Sequence, residues 1–369
     1  MKYTEIAVVG GGPAGLSAAI TAAKYGAKVT VIERNDSLGG QLRKQTHKFF
    51  GSQKQYASVR GIEIADILES QLREYNDNVE ILNGATVLGL YEDGVLTIEM
   101  KDRYIKLKPD RIIVATGAYE KFLSFPNNDL PGIYGAGAVQ TLMNQYGVKP
   151  GRNVLMVGAG NIGLIVSYQL MQAGVNVKAV IDAAPKIGGY LVHASKIRRL
   201  GVPILTSYTI KEAHGKDWVE GATICKLDEN WQMISGTEID IDVDIICISV
   251  GLTPLADLLW QIGCEMKYIP ELGGHVPIRD ENLETSKKGI YIAGDVAGIE
   301  EASSAMVEGR LAGLCAANSL GYIIDDFEEE KQDLIEQLDS LRAGPTGEKI
   351  LNGLEKVTKV IAGRYGYVD

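Results

Sequence analysis

A strand, a glycine turn and a helix are written twice in this 369-residue chain, and that repeat constrains the fold more than any other feature. The first copy is an apolar run over 4–9, then Gly10-Gly-Gly-Pro-Ala-Gly15, then an alanine-rich segment reaching Gly26. The second is 153–157, then Gly158-Ala-Gly160-Asn-Ile-Gly163, then an apolar segment to Ala173. In each, the first glycine permits a tight turn, the second lets backbone approach a pyrophosphate, and the third lets the helix pack close to the strand. The helix N-terminus is then left facing an anion. Each copy continues into a second apolar strand that ends in an acid able to hold a ribose diol. Glu33 lies eighteen residues past Gly15, and Asp182 nineteen past Gly163. Paired glycines, Gly39-Gly40 and Gly188-Gly189, begin six residues after each acid. One such motif is weak evidence, but two with matching offsets predict two dinucleotide-binding units.

The totals mainly exclude. With 37 Lys and Arg against 47 Asp and Glu the formal charge is −10, so no net field draws in nucleic acid or an anionic membrane. Small molecules or proteins are the expected partners. The four cysteines, Cys225, Cys247, Cys264 and Cys315, form no Cys-x-x-Cys and no Cys/His set at metal-ligand spacing. Neither a redox disulfide, a metal site nor an iron-sulfur site is written locally, and buried thiols in a reducing cytosol are expected. No stretch approaches the ~20 apolar residues of a membrane span, and the chain opens on a strand without a leader, which points to a cytoplasmic protein.

Between and beyond the repeats, 43–60 carries Arg43, Lys44, Lys48, Lys54 and Arg60 with no acid between Gly40 and Glu63. This run either steers an anionic substrate or a partner, or is a solvated loop whose Phe49, Phe50 and Tyr56 cover the core. Residues 62–75 have helical periodicity, 86–108 read as a hairpin or meander, and a separate buried strand at 111–115 runs into Thr116-Gly117. A small sheet is expected over 206–237, and 244–251 repeats the strand-to-glycine theme. A buried strand ends in Gly294-Asp295 and precedes a helix over 303–320. Two amphipathic helices, 325–341 and 348–362, make a tail outside both units, either a lid or a docking arm.

Taken together, Gly10 to Gly15 with Glu33, Ala115-Thr-Gly117, Gly158 to Gly163 and Gly294-Asp295 resemble the two-dinucleotide-binding-domain flavoproteins, the superfamily of thioredoxin reductase, over about 3–322. The redox Cys-x-x-Cys of that enzyme is missing, which argues against disulfide reduction here. The chain is more similar to the FAD/NAD-type subunits of amino-acid dehydrogenases: opine oxidase A, hydrogen cyanide synthase B, dye-linked proline dehydrogenase alpha and part of sarcosine oxidase alpha. That similarity rests on Ala115-Thr-Gly-Ala-Tyr-Glu120, Leu130-Pro-Gly132, Gly137-Ala-Val-Gln140-Thr and Ala305-Met-Val-Glu-Gly-Arg310. Several such relatives carry a cysteine-rich iron-sulfur extension; the tail here has no cysteine, so any cluster would sit on another polypeptide.

The resemblance implies an α/β chain of two Rossmann-like three-layer ββα domains, the second inserted in the first, plus a helical tail. The FAD domain would be 1–118 with 254–324, the NAD domain 119–253 and the tail 325–369. The resemblance assigns Gly10, Gly12, Pro13, Ala14, Gly15, Glu33, Arg34, Gly40, Gln41, Val87, Thr116, Gly117, Gly294 and Asp295 to FAD. It assigns Gly158, Gly160, Asn161, Ile162, Gly163, Asp182 and Gly251 to NAD(H). No metal and no acid–base residue is implied, because hydride passes between nicotinamide and flavin. The expected function is an FAD-dependent electron-transfer subunit working with a second flavoprotein dehydrogenase that oxidises a small amino or hydroxy acid, and with a small iron-sulfur protein. The alternatives are a free-standing NADH oxidase or acceptor reductase, and a structural subunit whose second site holds an adenine nucleotide without turnover.

Overall fold

The computed structural model describes residues 1–101 and 103–359. The chain divides into two compact units, Glu120–Leu252 and the remainder on either side of it.

The first unit opens with β1 (Lys2–Val9), whose burial rises along its length until Ile6, Ala7, Val8 and Val9 are enclosed. Helix α1 (Pro13–Lys24), β2 (Val29–Ile32), the amphipathic α2 (Gly61–Arg73), β3 (Val79–Leu82), β4 (Ala85–Leu90), β5 (Leu96–Met100) and β6 (Arg103–Val114) follow. Ile64, Leu68 and Leu72 are the buried stripe of α2, at the four-residue spacing that keeps one helix face on the core. The sheet order is β3-β2-β1-β6-β5-β4, parallel from β3 to β6 and antiparallel beyond.

The expected meander strand and the expected buried strand at 111–115 are one element. Its first half pairs with β5, and its second half pairs in parallel with a late strand, Ile290–Ile292. Pro109 does not break it and sits in register opposite Thr4.

The second unit contains β7 (Ile133–Gly135), α3 (Ala136–Asn144), β8 (Asn153–Val157), α4 (Asn161–Gln172), β9 (Asn176–Asp182), α5 (Leu191–Arg199), β10 (Ile204–Thr206), β11 (Tyr208–His214), β12 (Gly221–Lys226), β13 (Ile239–Ile241) and β14 (Ile245–Ile248). A parallel sheet, β10-β9-β8-β14-β7, lies beside a three-stranded antiparallel sheet, β11-β12-β13. Side chains alternate across the parallel sheet, as the two-residue strand period requires. Val154, Met156, Val180, Ile245 and Cys247 join the helix-side core, while Leu155, Val157, Ile181, Ile246 and Ile248 join the core shared with the small sheet. This is the three-layer arrangement expected from the sequence.

Back in the first unit, β15 (Ile290–Ile292) leads to α6 (Ala302–Ser319), buried along nearly its whole length. Small residues let α6 cross α1 closely: a Cβ on Gly309 would collide with the Ala14 carbonyl, and one on Gly313 with that of Ala18. Helix α7 (Phe327–Leu341) packs on α6 and puts Leu334 and Leu338 in the same core as β1 and α1. Helix α7 is therefore part of the core of the first unit. The last expected helix, 348–362, is instead α8 (Pro345–Leu354); Thr358–Lys359 then pair with Arg279–Asp280, and 360–362 lie outside the described residues.

The basic run 43–60 is largely neutralised. Arg43 pairs with Asp66 and Glu69 of α2, and Lys54 with Asp333 of α7 at 3.0 Å. Gln55, almost fully buried, donates to Gln337 of α7, and Phe49 and Tyr56 pack against the core. The basic run and α7, for each of which partner contact is one of the readings the sequence leaves open, thus pack on each other. The acids that offset the run come from elsewhere in the chain, where a local reading of 43–60 does not find them.

Candidate functional site

In the first unit the assigned groups gather at the turn after β1. Gly10 has φ +108°, and a Cβ on it would collide with the Ala115 carbonyl beyond β6, so close strand approach requires glycine there. A Cβ on Gly15 would collide with the Gly10 carbonyl. Gly12 is different. Its φ of −78° and ψ of −171° suit any residue, and a Cβ on it would meet only the Cα of Gly40, 4.0 Å away. Open space lies at the start of α1, where Pro13 occupies the first turn and no side chain caps the helix.

Around this space the acid, the loop and the late motif converge. Glu33, 4 % exposed, accepts the Gly11 N–H at 2.8 Å through Oε2, while Oε1 accepts the Asn35 N–H and Nδ2 at 2.8 and 2.7 Å. A carboxylate has about four acceptor positions, so these three bonds fix its orientation and leave capacity for a hydroxyl. The Glu33 carbonyl accepts the Ala85 N–H at 2.9 Å, which brings the start of β4, with half-buried Val87 two residues on, to this end of the sheet. Gly39 donates to the Gly11 carbonyl at 2.8 Å, and Gly40 packs against Gly12. Thr116 donates from Oγ1 to the Leu255 carbonyl at 2.7 Å, and the Gly117 carbonyl accepts the Leu255 N–H at 2.9 Å. Gly294 lies so near Ala14 that a Cβ would come within 2.9 Å of the alanine methyl. Arg34 and Gln41, directly after Glu33 and Gly40, are exposed.

Asp295 follows directly. Burial pushes its carboxyl up to about 7; the Glu300 N–H pulls the other way, and Glu308, Glu300 and Glu301 add to the rise. That bond from Glu300 to Oδ1 is long, 3.3 Å, and it leaves the half-buried carboxyl with acceptor capacity for a ligand hydroxyl.

The second unit repeats the wiring. A Cβ on Gly158, φ +116°, would collide with the Ser249 carbonyl, and one on Gly163 with the Gly158 carbonyl. Gly160, with φ −72° and ψ 177°, faces open space at the uncapped start of α4. Asp182 accepts the Ala159 N–H through Oδ2 at 2.7 Å and the Ala184 N–H through Oδ1 at 2.9 Å. Asn161 accepts the Tyr190 N–H at 2.8 Å and ties the following loop to the helix start, while Ile162 is partly exposed. Gly189 donates to the Ala159 carbonyl at 2.9 Å, as Gly39 does to Gly11. The equivalent glycines therefore stand six and seven residues after their acids, one place off the sequence alignment of the pairs. Gly251 is exposed two residues past Ser249, bonded to the Lys121 N–H and not to the turn. Glu120, singled out by motif alone, accepts the Gly137 N–H at 2.6 Å in the first turn of α3.

The sequence pattern of the family described as pyridine nucleotide-disulphide oxidoreductase matches residues 4–309. The chain belongs to that family. It is therefore an oxidoreductase, and membership implies FAD and a pyridine nucleotide as cofactors. The chain is 27 % identical to the opine oxidase A polypeptide of Agrobacterium tumefaciens, one named subunit of that oxidase, over 87 % of its own length and 67 % of that protein. It is 26 % identical to the alpha subunit of sarcosine oxidase from Corynebacterium, over 87 % of this chain and 33 % of that one. The chain thus spans between a third and two thirds of these relatives. The structure of T. acidophilum thioredoxin reductase covers 87 % of this chain and 99 % of its own with a TM-score of 0.70 at 24 % identity, a likeness of fold.

All four cysteines are free and buried. Burial pushes the Cys247 thiol far up, Cys315 to about 12 and Cys264 upward as well. Such thiols are inert as nucleophiles. Among the described residues no group of three or more His, Cys, Asp or Glu could hold a metal, and no helix is long and apolar enough to cross a membrane. The sequence motifs did not identify Glu300, Glu308 and Arg342, which make a buried ion-pair network behind Asp295. Only Glu308 lay in a quoted motif, and no local pattern links it to a residue 34 positions away.

Proposed function

We propose that this protein is an FAD-dependent electron-transfer subunit that passes hydride between NAD(H) and FAD, coupled through a partner flavoprotein to the oxidation of a small amino or hydroxy acid. The observation that carries the reading is the duplicated half-site: in each unit an uncapped helix start, an open glycine and a carboxylate oriented by the turn's own N–H stand together. FAD belongs in the first unit, because there the glycine packed on Ala14 of α1, Gly294, is followed by a second acid, Asp295, with acceptor capacity to spare. Gly12 and the α1 N-terminus would hold the pyrophosphate, Glu33 the adenosine ribose, the start of β4 the adenine and Asp295 the ribityl hydroxyls.

NAD belongs in the second unit, where Asp182 would accept the ribose hydroxyls and disfavour a 2′-phosphate. When both are bound, the pyridine nucleotide supplies hydride and the flavin accepts it. The chain's own residues bind, orient and exclude water; none of its thiols is suited to take part. A relative that is one named component of a larger oxidase supports the partnered reading. The reading also places the protein in the cytoplasm.

Purified alone under anaerobic conditions and mixed with NADH, the protein should reduce its flavin promptly yet turn over slowly with dioxygen or soluble quinones. Turnover should become fast with a protein that co-purifies from the host. Fast turnover with a soluble acceptor by this polypeptide alone would favour a free-standing NADH:acceptor reductase.

A further inference from the structure

Arg342, at the C-terminal end of α7, lies far in sequence from every glycine motif yet is 8 % exposed and bonded to two glutamates. Its Nη2 donates to Glu300 Oε1 at 2.7 Å and to Glu308 Oε1 at 2.6 Å, and its Nε donates to Glu300 Oε2 at 2.9 Å. Glu308, 3 % exposed in α6, uses its other oxygen to accept the Gly294 N–H at 2.9 Å. Glu300 presents its N–H to Asp295. The buried Arg279 donates to the Ala297 carbonyl at 2.8 Å. The segment from Gly294 to Glu300 is thus clamped at its start, middle and end, and Arg342 joins two of the clamps. Asp295 lies inside them.

We propose that Arg342 is a positioning residue for the flavin. Through Glu308 and Glu300 it fixes the Gly294–Asp295 backbone and, with the buried Arg279, supplies the positive charge that offsets three neighbouring carboxylates, so that the tail helix sets both the affinity and the reduction potential of the bound FAD. This rests on the placement of FAD in the first unit. Two paired carboxylates without their guanidinium would leave net negative charge beside the seat and disfavour the more electron-rich reduced flavin. The structural alternative, that α7 merely covers apolar surface through Leu334 and Leu338, predicts no dependence on the charge of residue 342.

The test compares wild type with Arg342→Gln, Arg342→Lys and Glu308→Gln for FAD dissociation constant, thermal stability and flavin midpoint potential against reference dyes. Arg342→Gln should weaken FAD binding at least tenfold and lower the potential. A tenfold difference between the effects on reduced and oxidised flavin corresponds to about 30 mV for this two-electron couple. Arg342→Lys should restore most of the potential while binding FAD less tightly, having charge without the bidentate fork. Glu308→Gln, which removes an anion and leaves the arginine, should raise the potential. Opposite signs at the two positions are the signature that general loosening cannot give. If Arg342→Gln does not fold, the Lys variant carries the affinity arm and Glu308→Gln the potential arm. Variants that lose melting temperature but keep potential and affinity within twofold would overturn the proposal. Failure of wild type itself to bind FAD would instead overturn the placement of the flavin.

Discussion

Gly12 and Gly160 allow folding to be separated from nucleotide binding, which most glycine-turn substitutions confuse. A methyl on Gly10 or Gly158 meets a carbonyl oxygen at positive φ, so Gly10→Ala would damage the turn itself. At Gly12 the backbone is already extended and the new Cβ has only the Gly40 Cα at 4.0 Å; at Gly160 nothing lies within 4 Å. Replacing Gly by Ala at a compatible backbone position commonly stabilises by about 0.4–1 kcal/mol, through a less flexible unfolded chain. Gly12→Ala in FAD-free protein should therefore melt at or slightly above wild type. The methyl occupies the space a pyrophosphate needs to reach the α1 N–H groups, and a hydrogen bond to a charged group contributes about 1.5–3 kcal/mol. FAD should bind roughly ten- to 150-fold more weakly. Gly160→Ala should leave FAD in place and raise the NADH concentration needed for flavin reduction by a similar factor. Calorimetry on FAD-free protein and fluorescence titration with FAD read the two effects apart. A Gly12→Ala protein that binds FAD with unchanged affinity would refute the assignment of this turn.

Replacing all four cysteines by Ser or Ala should leave NADH-dependent flavin reduction within a few-fold of wild type in protein that folds and carries FAD, measured by rapid mixing. Loss of reduction in such protein would mean that a thiol participates. Asp182 should give a preference for NADH over NADPH of about ten- to 100-fold, the equivalent of roughly 1–3 kcal/mol of like-charge repulsion in a half-exposed site. Asp182→Ala should narrow it while weakening both, since the carboxylate also holds the Ala159 N–H. The Asp295 carboxyl, raised by burial from 3.8 to about 7, binds its proton more tightly folded than unfolded. FAD-free protein should consequently lose stability as pH rises from about 4 to about 7 and level off above, and Asp295→Asn should remove that part of the dependence in melting curves.

The glycine turns, their acids and the alternation of buried strands were legible in the sequence because each is a local pattern with a local cause. Local patterns fail where one strand serves two partners. β6 continues through Pro109 because the residue stands opposite Thr4, a non-local fact, and the sequence places a boundary where none exists. The basic run 43–60 reads as a free patch only while its counter-charges are out of view; Asp66, Glu69 and Asp333 arrive from two other helices. Arg342 is the sharpest case. Its residue type at a helix end suggests a solvated cap, and its role behind Asp295 follows only from the packing of α7 on α6.

On the proposed function, electrons pass between NAD(H) and FAD as hydride, without a thiol relay. Anaerobic titration of the purified protein with NADH, followed by the flavin's visible absorbance, tests it most directly. The expected result is a stoichiometric FAD that bleaches with an equal amount of NADH and yields no titratable new thiols. FAD-replete protein whose flavin stays oxidised under excess NADH would contradict the account.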